Sequence, residues 1–591
     1  MKALPAPFAV IDSPVSDYQL AFSAILDKLL SDHGPVAVSK VREVCGEEHG
    51  VDASAGWTDN DIMMRDLLTV RPVNSLRMGR MRPSHSSSHT GETKRFISIY
   101  VLGFVNGYEY VELFLASARI GCPFVVLNTT NSPHELCSTV ARSDCKALFI
   151  VSSIGSIKAD AHVYQVATTV EVGACLEQLI MLDRSPSREL FNCHRYEDFL
   201  TDGTNASISD SELKKAESHV QPSDVLNMQF TSGTTGLPKV SMLIHNNLLN
   251  DGKYVGRAIR LTQDDIVCCP PPLFHCFGLV MGFLASFTHG STIVFPSDRF
   301  KARQTLDAVE AQKATALLGV PTMFISELEQ MESQPQRITT VRTGLVAGSP
   351  VSPCLMDELR AKMNIQGMLI AYGMTETSPV AFITSLGDRM LTSLGRVLPH
   401  TAAKIVDTGG NIFAIGERGE ICTTEFALQK GYYRDDIKTQ EAMRLDENGV
   451  SWMHTGEEGY LDEEGYGFIT GRIKDLIIRG GENLSPSESE NQLLRHPAIR
   501  DACVVAVKDK IHGEVVAAFL QACSHEKKPS DKNIRDWVLQ DLSPVKVPVF
   551  IFWLGHDGVD VELPKTGSGK YQKHIIHDIV NHLAETRGRT K

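Results

Sequence analysis

Residues 231–239 read TSGTTGLPK, and no other stretch of the chain is as informative. It follows an alternating run, residues 226–230, whose pattern suits a half-buried strand. The two glycines permit backbone angles that point amide groups at a bound anion, four hydroxyls add hydrogen-bond donors, and Lys239 supplies a positive charge. The stretch therefore predicts a loop after a strand that holds a polyphosphate.

Other interpretations of this loop fit less well. Any three of these residues alone would more often form a surface turn, but nine in this order argue against one. The Walker A loop needs lysine directly after its second glycine, whereas Gly236 is followed by leucine, proline and then Lys239. The dinucleotide-binding fingerprint is absent here as well. The candidate phosphate ligands are therefore Thr231, Ser232, Gly233, Thr234, Thr235, Gly236 and Lys239.

Length and composition limit the remaining choices. A chain of 591 residues is too long for one comfortable hydrophobic core, so we expect two or three domains. Hydrophobic residues make up 42% and charged residues 22%, as in an ordinary globular enzyme. The formal net charge of -13 disfavours nucleic acid as a partner.

Cysteine usage and the chain ends bear on location. The thirteen cysteines are scattered, with no CxxC pair and no His–Cys cluster at zinc spacing, which fits a reduced intracellular compartment. The longest apolar candidate, residues 96–105, is about half of the ~20 residues that a membrane-spanning helix needs, so we expect no transmembrane segment. We find no secretory signal, and the final Arg-Thr-Lys does not match a peroxisomal address. A cytoplasmic protein is predicted, with the peroxisome as the alternative.

Two patterns of secondary structure follow one another along the chain. Apolar runs typical of buried strands alternate with helix-like stretches, which predicts a doubly wound α/β domain. After Gly471 the pattern becomes a smaller α+β unit. We predict a large N-terminal domain, residues 1–471, and a small mobile domain, residues 472–591. The strand candidates are 122–127, 147–151, 178–182, 291–295, 314–320, 367–371, 502–507, 515–520 and 549–553, and the helix candidates are 132–142, 301–312, 352–362 and 531–542.

At residues 231–239 the chain closely resembles the adenylate-forming superfamily of acyl-CoA synthetases, luciferases and peptide-synthetase adenylation domains. The resemblance extends from about Glu109 to Lys573, and later motifs appear in the family's order. It implies an enzyme that uses ATP and Mg²⁺ to convert a carboxylic acid into acyl-AMP, and then transfers the acyl group to coenzyme A. Residues 269–275 and the end of the loop look most like the medium-chain branch, including fungal members that serve secondary metabolism.

The segment YGMTET, residues 372–377, follows a predicted strand at the carboxyl end of a parallel sheet, where ligands collect. By resemblance, Tyr372 stacks on adenine beside Gly373, Thr375 contacts the α-phosphate and the acyl carboxylate, and Glu376 holds Mg²⁺. A hard divalent ion prefers carboxylate and phosphate oxygens, in agreement with that role.

Two upstream segments resemble other parts of the family's site. Gly348, Ser349 and Pro350 resemble the adenine-side loop. The segment LFHCFG, residues 273–278, resembles the acyl-pocket motif, in which His275 would border the substrate carboxylate.

The acid in HTGE, residues 454–457, stands where the family uses aspartate to accept hydrogen bonds from the ribose hydroxyls. Here it is Glu457, whose extra methylene shifts the carboxylate by about a bond length, and a poorly placed hydrogen bond loses much of its net worth of about 1 kcal/mol. We therefore expect weaker ATP binding. In GRIKD, residues 471–475, Arg472 would reach the ribose and Lys474 would absorb a domain rotation.

The last two motifs concern the mobile domain. Gly480 and Gly481 would line the channel for the coenzyme A thiol after the rotation. In PKTGSGK, residues 564–570, Lys570 would be the catalytic lysine that is withdrawn between the two half-reactions.

Besides Glu457, further departures from the family pattern occur, and the divergent segment 66–105 above all leaves room for a catalytically weakened homologue. Residues 66–105 diverge from the family's helix and strand, Val240 replaces a usual glycine, and Ser489 replaces a usual apolar residue. The remaining alternatives are a ligase that loads the acyl group onto a carrier protein and a luciferase-like monooxygenase, although no residue here indicates an oxygen-reactive substrate.

Overall fold

A computed structural model describes most of the chain after residue 107 and two short segments before it. The described residues are 9–11, 98–102, 107–127, 131–143, 145–154, 157–169, 172, 176, 178–182, 193–196, 198–199, 215–231, 238–388, 393–480, 482–523, 528–556, 558–565 and 571–589. Most of the divergent segment 66–105 lies outside them, so its effect on the fold stays a prediction.

The helices and strands are as follows. The strands are β1 (Ala9–Ile11), β2 (Ser98–Leu102), β3 (Phe124–Val126), β4 (Cys145–Ile150), β5 (Ser153–Ile154), β6 (Ile157–Lys158), β7 (Gln178–Met181), β8 (His194–Arg195), β9 (Val225–Thr231), β10 (Lys239–Ile244), β11 (Ile266–Cys268), β12 (Thr292–Phe295), β13 (Ala316–Gly319), β14 (Thr343–Ala347), β15 (Gly367–Gly373), β16 (Val380–Ile383), β17 (Arg396–Val397), β18 (Thr401–Val406), β19 (Gly419–Glu425), β20 (Gly431–Tyr432), β21 (Met443–Leu445), β22 (Ser451–Leu461), β23 (Gly467–Arg472), β24 (Ile477–Arg479), β25 (Glu482–Leu484), β26 (Ile499–Asp509), β27 (Gly513–Ala522) and β28 (Phe550–Trp553). The α-helices are α1 (Tyr108–Ile120), α2 (Pro133–Arg142), α3 (Asp160–Thr168), α4 (His245–Ala258), α5 (Ala285–His289), α6 (Ala302–Gln312), α7 (Pro321–Ser333), α8 (Pro353–Met363), α9 (Asp436–Ala442), α10 (Pro486–Leu494), α11 (Asp531–Asp541) and α12 (Lys573–Arg589). A π-helix spans Phe277–Leu284, and 3₁₀ turns span Thr375–Thr377, Ile473–Asp475 and Pro544–Lys546.

The chain divides into two compact units. The first contains residues within 1–318, 374–379 and 426–441, and the second contains residues within 319–373, 380–425 and 442–591.

The first unit carries a largely parallel sheet in the order β20-β10-β9-β3-β2-β4-β7-β8. The strands from β9 to β8 pair in parallel, whereas β10 and β20 are antiparallel additions at the edge. The same unit holds β11 in parallel pairing with β12 and β13. Parallel strands joined by helices form the doubly wound arrangement that the sequence predicts.

The second unit carries β14 and β15 in parallel, followed by the antiparallel β16 and β17. A five-stranded sheet follows in the order β18-β19-β22-β21, with β23 on β22. The last sheet has the order β25-β24-β27-β26, with β28 on β27.

That last sheet has an apolar core on each face. Alternate residues of β26 point to opposite faces, so Val504 packs with Leu493 and Ile534 of α10 and α11, whereas Val505 packs with Ile576 of α12. This last sheet and the helices on its two faces therefore form the smaller α+β structure that the sequence after Gly471 predicts.

Most secondary-structure predictions are confirmed to within a few residues. Every predicted strand from 122–127 to 549–553 coincides with a strand, and each of the four predicted helices is present. Helix α2 illustrates the cause, because Ser132 accepts a hydrogen bond from the Glu135 amide and the Glu135 carboxylate accepts one from the Ser132 amide.

The prediction that residues 226–230 form a half-buried strand is wrong in one respect. The segment is in β9, but Asn227 and Gln229 are as buried as their apolar neighbours. Their polar side chains bond inside the unit, where Asn227 Nδ2 donates to the Phe124 carbonyl at 2.9 Å. Polar residues on one face of a strand thus marked a polar interior and not a solvent-facing surface.

Among the described residues, no helix combines the length and the apolar character needed to cross a bilayer.

Candidate functional site

Three side chains of the first unit form a buried charged network. Lys239 Nζ donates to the Tyr432 hydroxyl at 2.7 Å, and that hydroxyl donates to Glu376 Oε1 at 2.8 Å. Lys239 Nζ lies 4.0 Å from the same carboxylate oxygen and 4.2 Å from the centre of the Tyr432 ring. The structure therefore brings together the predicted loop lysine and the predicted metal ligand.

Strand pairing explains why these residues meet. Strand β10 pairs with β9 at Lys239 and Thr231, and with β20 at Ser241 and Tyr432. Glu376 lies in the 3₁₀ turn Thr375–Thr377, and its carbonyl accepts a hydrogen bond from the Gln429 amide at 2.9 Å. The main chain of Glu376 is thus fixed by that backbone bond, while its carboxylate contacts the side chains of Tyr432 and Lys239.

The protonation of Tyr432 is set by its surroundings. Burial and the charge of Glu376 raise the pKa of Tyr432 well above its usual value. The phenol therefore keeps its proton at neutral pH, and it can accept from the ammonium while donating to the carboxylate. A Lys–Tyr–Glu network of this kind places one positive and one negative group close together in a site with little solvent.

Sequence reasoning missed Tyr432. The only signal in the sequence was a pair of adjacent tyrosines after a glycine, Gly431. In the structure Gly431 has a φ of 139°, a conformation suited to glycine. The Tyr432 amide donates to Thr439 Oγ1 at 2.8 Å, which fixes this short edge strand.

The donor set suits Mg²⁺ bound to a polyphosphate. Glu376 offers a carboxylate that is only 5% exposed, and Lys239 offers a cation beside it. Thr231 Oγ1, at the start of the glycine-rich loop, is buried and has no hydrogen-bond partner among the described residues. A hard cation bound by one or two carboxylates and by phosphate oxygens fits these groups.

The polar interior of β9 extends this site. Cys276 Sγ donates to Gln229 Oε1 at 2.9 Å, and Thr375 is hydrogen-bonded to the same thiol. Burial raises the pKa of Cys276 well above its usual value, so the thiol stays neutral and acts as a donor. Gln229 Nε2 is buried without a partner in the described part of the chain, and sequence analysis did not select Gln229 or Cys276 for a role.

His275 lies just before the π-helix. Its Nδ1 accepts a hydrogen bond from the Phe277 amide at 3.2 Å, which places the proton of a neutral ring on Nε2. A Cβ on Gly278 would lie 2.4 Å from the Pro272 carbonyl oxygen, so this turn packs against the proline segment only with glycine at that position. π-helical turns are frequent at functional sites. The role of His275 beside a substrate carboxylate stays a prediction.

A second cluster lies in the second unit. The Tyr372 hydroxyl donates to Glu457 Oε2 at 2.5 Å, and Arg472 Nε donates to Glu457 Oε1 at 3.2 Å. Glu457 and Arg472 face each other across β22 and β23. Burial and the charge of Glu457 raise the pKa of Tyr372 well above its usual value. The predicted adenine, ribose and Arg472 positions are thus adjacent, with both oxygens of Glu457 bonded to protein.

The predicted adenine-side loop lies beside Tyr372. Strands β14 and β15 are parallel neighbours that pair Ala347 with Ala371. Gly348, with a φ of 96°, directly follows β14 and turns the chain through Ser349 and Pro350. Both segments therefore leave the same edge of the sheet, and Gly373 ends β15.

The remaining predicted residues divide into described and undescribed positions. Lys474 lies in the 3₁₀ turn Ile473–Asp475, and Gly480, with a φ of 60°, turns between β24 and β25. The predicted residues outside the described part of the chain are Ser232, Gly233, Thr234, Thr235, Gly236, Gly481 and Lys570.

The chain on either side of residues 566–570 is paired with itself. Lys565 and Tyr571 form an antiparallel bridge, and Gln572 Nε2 donates to the Lys565 carbonyl at 3.0 Å. The Tyr571 hydroxyl donates to Asp501 Oδ2 at 2.5 Å. The two ends of the predicted lysine segment are therefore close together.

Two departures from the family pattern fit their surroundings. Val240 is buried in the apolar core of the first unit. Ser489 is buried in the second unit, where its hydroxyl donates to the Lys546 carbonyl at 2.9 Å. Neither residue leaves a visible defect.

Comparisons with known proteins identify the family of this chain. Residues 100–433 match the family model for the AMP-binding enzyme, and residues 488–570 match the model for its C-terminal domain. Acyl-CoA ligase sidI of Aspergillus fumigatus is 42% identical over 489 residues, which is 82% of each chain. The mitochondrial medium-chain acyl-CoA ligase ACSF2 of Bos taurus is 33% identical over 80% of this chain and 77% of its own. The crystal structure of ATP-bound MatB from Rhodopseudomonas palustris aligns with a TM-score of 0.67 at 26% identity, covering 83% of this chain and 90% of that one.

Proposed function

We propose, from the premise that this chain belongs to the AMP-binding enzyme family, that it activates a carboxylic acid with ATP and passes the acyl group to the thiol of coenzyme A. It is an acid–thiol ligase with an α/β N-terminal domain and a smaller C-terminal domain. The observation that carries the site assignment is the network of Lys239, Tyr432 and Glu376.

In the first half-reaction an oxygen of the substrate carboxylate attacks the α-phosphorus of ATP. The bond between the α-phosphorus and the bridging oxygen to the β-phosphate breaks, and pyrophosphate leaves with the electron pair. Lys239 and Lys570 would offset the phosphate charge, with the amides of residues 232–236. The acid is thereby converted from a poor electrophile into a mixed anhydride with AMP.

Glu376 would hold Mg²⁺ at this site, and the ion would supply positive charge to the phosphate oxygens. Tyr432 keeps the Glu376 carboxylate oriented, because its hydroxyl donates to one carboxylate oxygen. The same hydroxyl accepts a hydrogen bond from Lys239, so it bridges an ammonium and a carboxylate that lie 4.0 Å apart, and the ammonium would also contact the phosphate.

Tyr372, Glu457 and Arg472 would hold the adenosine. Glu457 is the acceptor for the ribose hydroxyls, Arg472 adds a donor, and Tyr372 supplies the ring next to the loop of Gly348, Ser349 and Pro350. Thr375 and His275 would face the acyl carboxylate.

In the second half-reaction the sulfur of coenzyme A attacks the acyl carbon. The thioester bond forms, the bond from that carbon to the AMP oxygen breaks, and AMP takes the electron pair while the thiol proton passes to solvent. We propose that the domain after Gly471 turns about Lys474, withdraws Lys570, and brings Gly480 and Gly481 to the thiol channel.

We propose that the substrate is a medium-chain carboxylic acid and that the enzyme serves fungal metabolism. Its support is the names of the relatives, which include a fungal acyl-CoA ligase and a medium-chain acyl-CoA ligase. We further propose a cytoplasmic, reduced location, which would suit the ten buried cysteines of the described chain that form no disulfide.

A pyrophosphate-release assay tests this function. The purified protein is incubated with Mg-ATP and acids of graded chain length, with and without coenzyme A. The products are identified by mass spectrometry. We expect acyl-AMP without coenzyme A and acyl-CoA with it. Acyl-AMP that accumulates even with coenzyme A would favour a carrier protein as acceptor, and no adenylate from any acid would favour a weakened homologue.

The division of labour is tested with Lys570→Ala. Adenylate formation should be abolished, whereas thioester formation from supplied acyl-AMP should persist, because the lysine stabilises phosphate charge only in the first step. Equal loss of both half-reactions would contradict the proposed rotation.

A further inference from the structure

Three side chains with metal-binding atoms converge on one face of the five-stranded sheet formed by β18, β19, β21, β22 and β23. Glu420 and Cys422 are two residues apart on β19, so they point to the same face, and Cys422 pairs across the sheet with His454 of β22. His454 Nδ1 lies 2.7 Å from Glu420 Oε2 and 3.5 Å from Cys422 Sγ. The three ligand atoms all lie within 4.8 Å of one another.

We propose that Glu420, Cys422 and His454 bind a borderline divalent cation of the zinc class, with the fourth position open to water. A thiolate, an imidazole and a carboxylate are the ligands that zinc uses in proteins, and three protein ligands with one water is a common zinc arrangement. Metal–ligand bonds of about 2.0–2.3 Å place tetrahedral ligand atoms roughly 3–4 Å apart. The observed spacing needs only small side-chain rotations to reach that geometry.

The site is enclosed and already polar. Cys422 is fully buried, and the side chains of His454 and Glu420 are 11% and 20% exposed. Burial alone would raise the pKa of Glu420, but hydrogen bonds from His454 and from the Gly456 amide outweigh it and lower the pKa. A charged carboxylate is therefore in place before any ion arrives.

Binding must remove a proton from Cys422 and shift one within the His454 ring. Burial and the charge of Glu420 raise the pKa of Cys422 to about 12, so the thiol is protonated at neutral pH. The sulfur gives up that proton when it bonds the metal, and a neutral imidazole moves its proton from Nδ1 to Nε2. Each bound ion thus releases one proton to the buffer.

Two cations from neighbouring strands face the site. Lys404 of β18 pairs with Cys422, and Arg444 lies on β21, and both favour the thiolate while opposing a bound cation. Lys404 is directed toward the Trp452 ring, with its Nζ 4.0 Å from the ring centre. The thiolate and the carboxylate together balance the two positive charges of the ion. The repulsion from Lys404 and Arg444 then remains, and because salt screens it, we expect the affinity for the ion to depend on ionic strength.

Sequence analysis did not identify this site because its residues lie on two strands, and Cys422 and His454 are 32 residues apart in the chain. It goes beyond the proposed ligase activity, and its residues differ from those assigned to ATP. One link exists, because Glu420 Oε1 accepts the Gly456 amide at 2.9 Å, next to Glu457. A bound ion would fix Glu420 and, through this hydrogen bond, the backbone at Gly456 next to Glu457.

Cadmium and zinc titrations of the reduced full-length protein test the site. Cadmium bound to a thiolate gives a charge-transfer absorption in the ultraviolet, and zinc binding is followed by calorimetry in buffers of different ionisation enthalpy. We expect one ion and one released proton for each chain. Cys422→Ser should abolish the cadmium–thiolate band and weaken zinc binding by on the order of tenfold or more, and Glu420→Gln should weaken zinc binding while keeping the band.

The matched control is Cys503→Ser, which alters another buried cysteine of the same unit and should keep both the band and the affinity. Circular dichroism without metal establishes that each variant is folded. If Cys422→Ser does not fold, Glu420→Gln decides, and unchanged zinc affinity in that variant overturns the proposal. An absent band in the wild type, or an equal band in a folded Cys422→Ser, would also overturn it.

Discussion

The two clusters that the sequence assigns to ATP differ in burial and in charge pairing. In the first unit, Glu376 is 5% exposed and meets Lys239 through a phenol. In the second unit, Glu457 is 16% exposed and is bonded directly to Arg472, whose side chain is 51% exposed against 27% for Lys239. In the first cluster a phenol bridges two charges that lie 4.0 Å apart, and both charged side chains are less exposed than their counterparts in the second cluster, where solvent screens a direct ion pair.

This difference predicts where binding energy is concentrated. Charges in a water-excluded site act strongly on a developing phosphate charge, because little solvent competes with them. An exposed pair contributes less, because water and salt weaken it. Mutations in the first cluster should therefore affect chemistry, and those in the second should affect nucleotide affinity.

Glu376→Gln should produce the largest effect. Loss of the carboxylate removes the proposed Mg²⁺ ligand and leaves Lys239 without its nearby negative charge, so pyrophosphate exchange should fall on the order of 10²–10³-fold. Exchange of labelled pyrophosphate into ATP measures this step alone.

Glu327→Gln is the matched control for the loss of a buried glutamate. Burial raises the pKa of Glu327 well above its usual value, so this carboxyl is already neutral, and the amide should leave exchange unchanged. A similar loss in both variants would mean that Glu376 supports the fold and not the chemistry.

Tyr432→Phe should have the next largest effect. The ring stays over Lys239, but the hydroxyl that bridges the ammonium and the carboxylate is lost, so both groups lose a hydrogen bond and their distance of 4.0 Å can shorten. We expect pyrophosphate exchange to fall on the order of tenfold, and the free energy of unfolding to fall by about 1.5–3 kcal/mol, the range for hydrogen bonds to charged groups. Tyr433→Phe, which alters the neighbouring tyrosine, should change exchange little, and equal losses would assign the effect to packing of β20.

Glu457→Asp should strengthen ATP binding. The carboxylate withdraws by about a bond length from the Tyr372 hydroxyl and becomes available to the ribose, so the KM for ATP should fall about fivefold, equivalent to about 1 kcal/mol, with little change in kcat. Glu458→Asp is the control, because its side chain points to the other face of β22 and bonds Thr470. A KM that rises in Glu457→Asp would show that this site is adapted to the longer acid.

Much of the fold was predictable because apolar runs report burial. The strands β4, β12 and β15 consist mostly of buried apolar residues, and Ser132 with Glu135 marks the start of α2. The failure at β9 has the same cause, because Asn227 and Gln229 are polar and buried, and a period of two cannot distinguish a polar interior from solvent.

The site was predictable only where motifs are contiguous. Lys239 and Glu376 were identified within characteristic stretches of sequence. Tyr432, Gln229 and Cys276 reach the same place through strand register and a π-helix, and no local pattern shows which distant residues a register will bring together. The cluster of Glu420, Cys422 and His454 was missed for the same reason.

Arg472→Lys should have the smallest effect on stability and therefore sharpens the contrast. The pair with Glu457 is largely exposed on the arginine side, so the free energy of unfolding in denaturant should change by less than about 1 kcal/mol and the difference should shrink in high salt. The KM for ATP should still rise, because an ammonium lacks the fork of donors that a guanidinium offers to both Glu457 and a ribose.

Arg360→Lys, in the exposed pair of Arg360 with Asp357, is the control and should match the small stability change without the KM effect. If Arg472→Lys instead destabilised the protein as much as Tyr432→Phe, solvent would not be screening the second cluster, and the difference in exposure would not explain the division between chemistry and affinity.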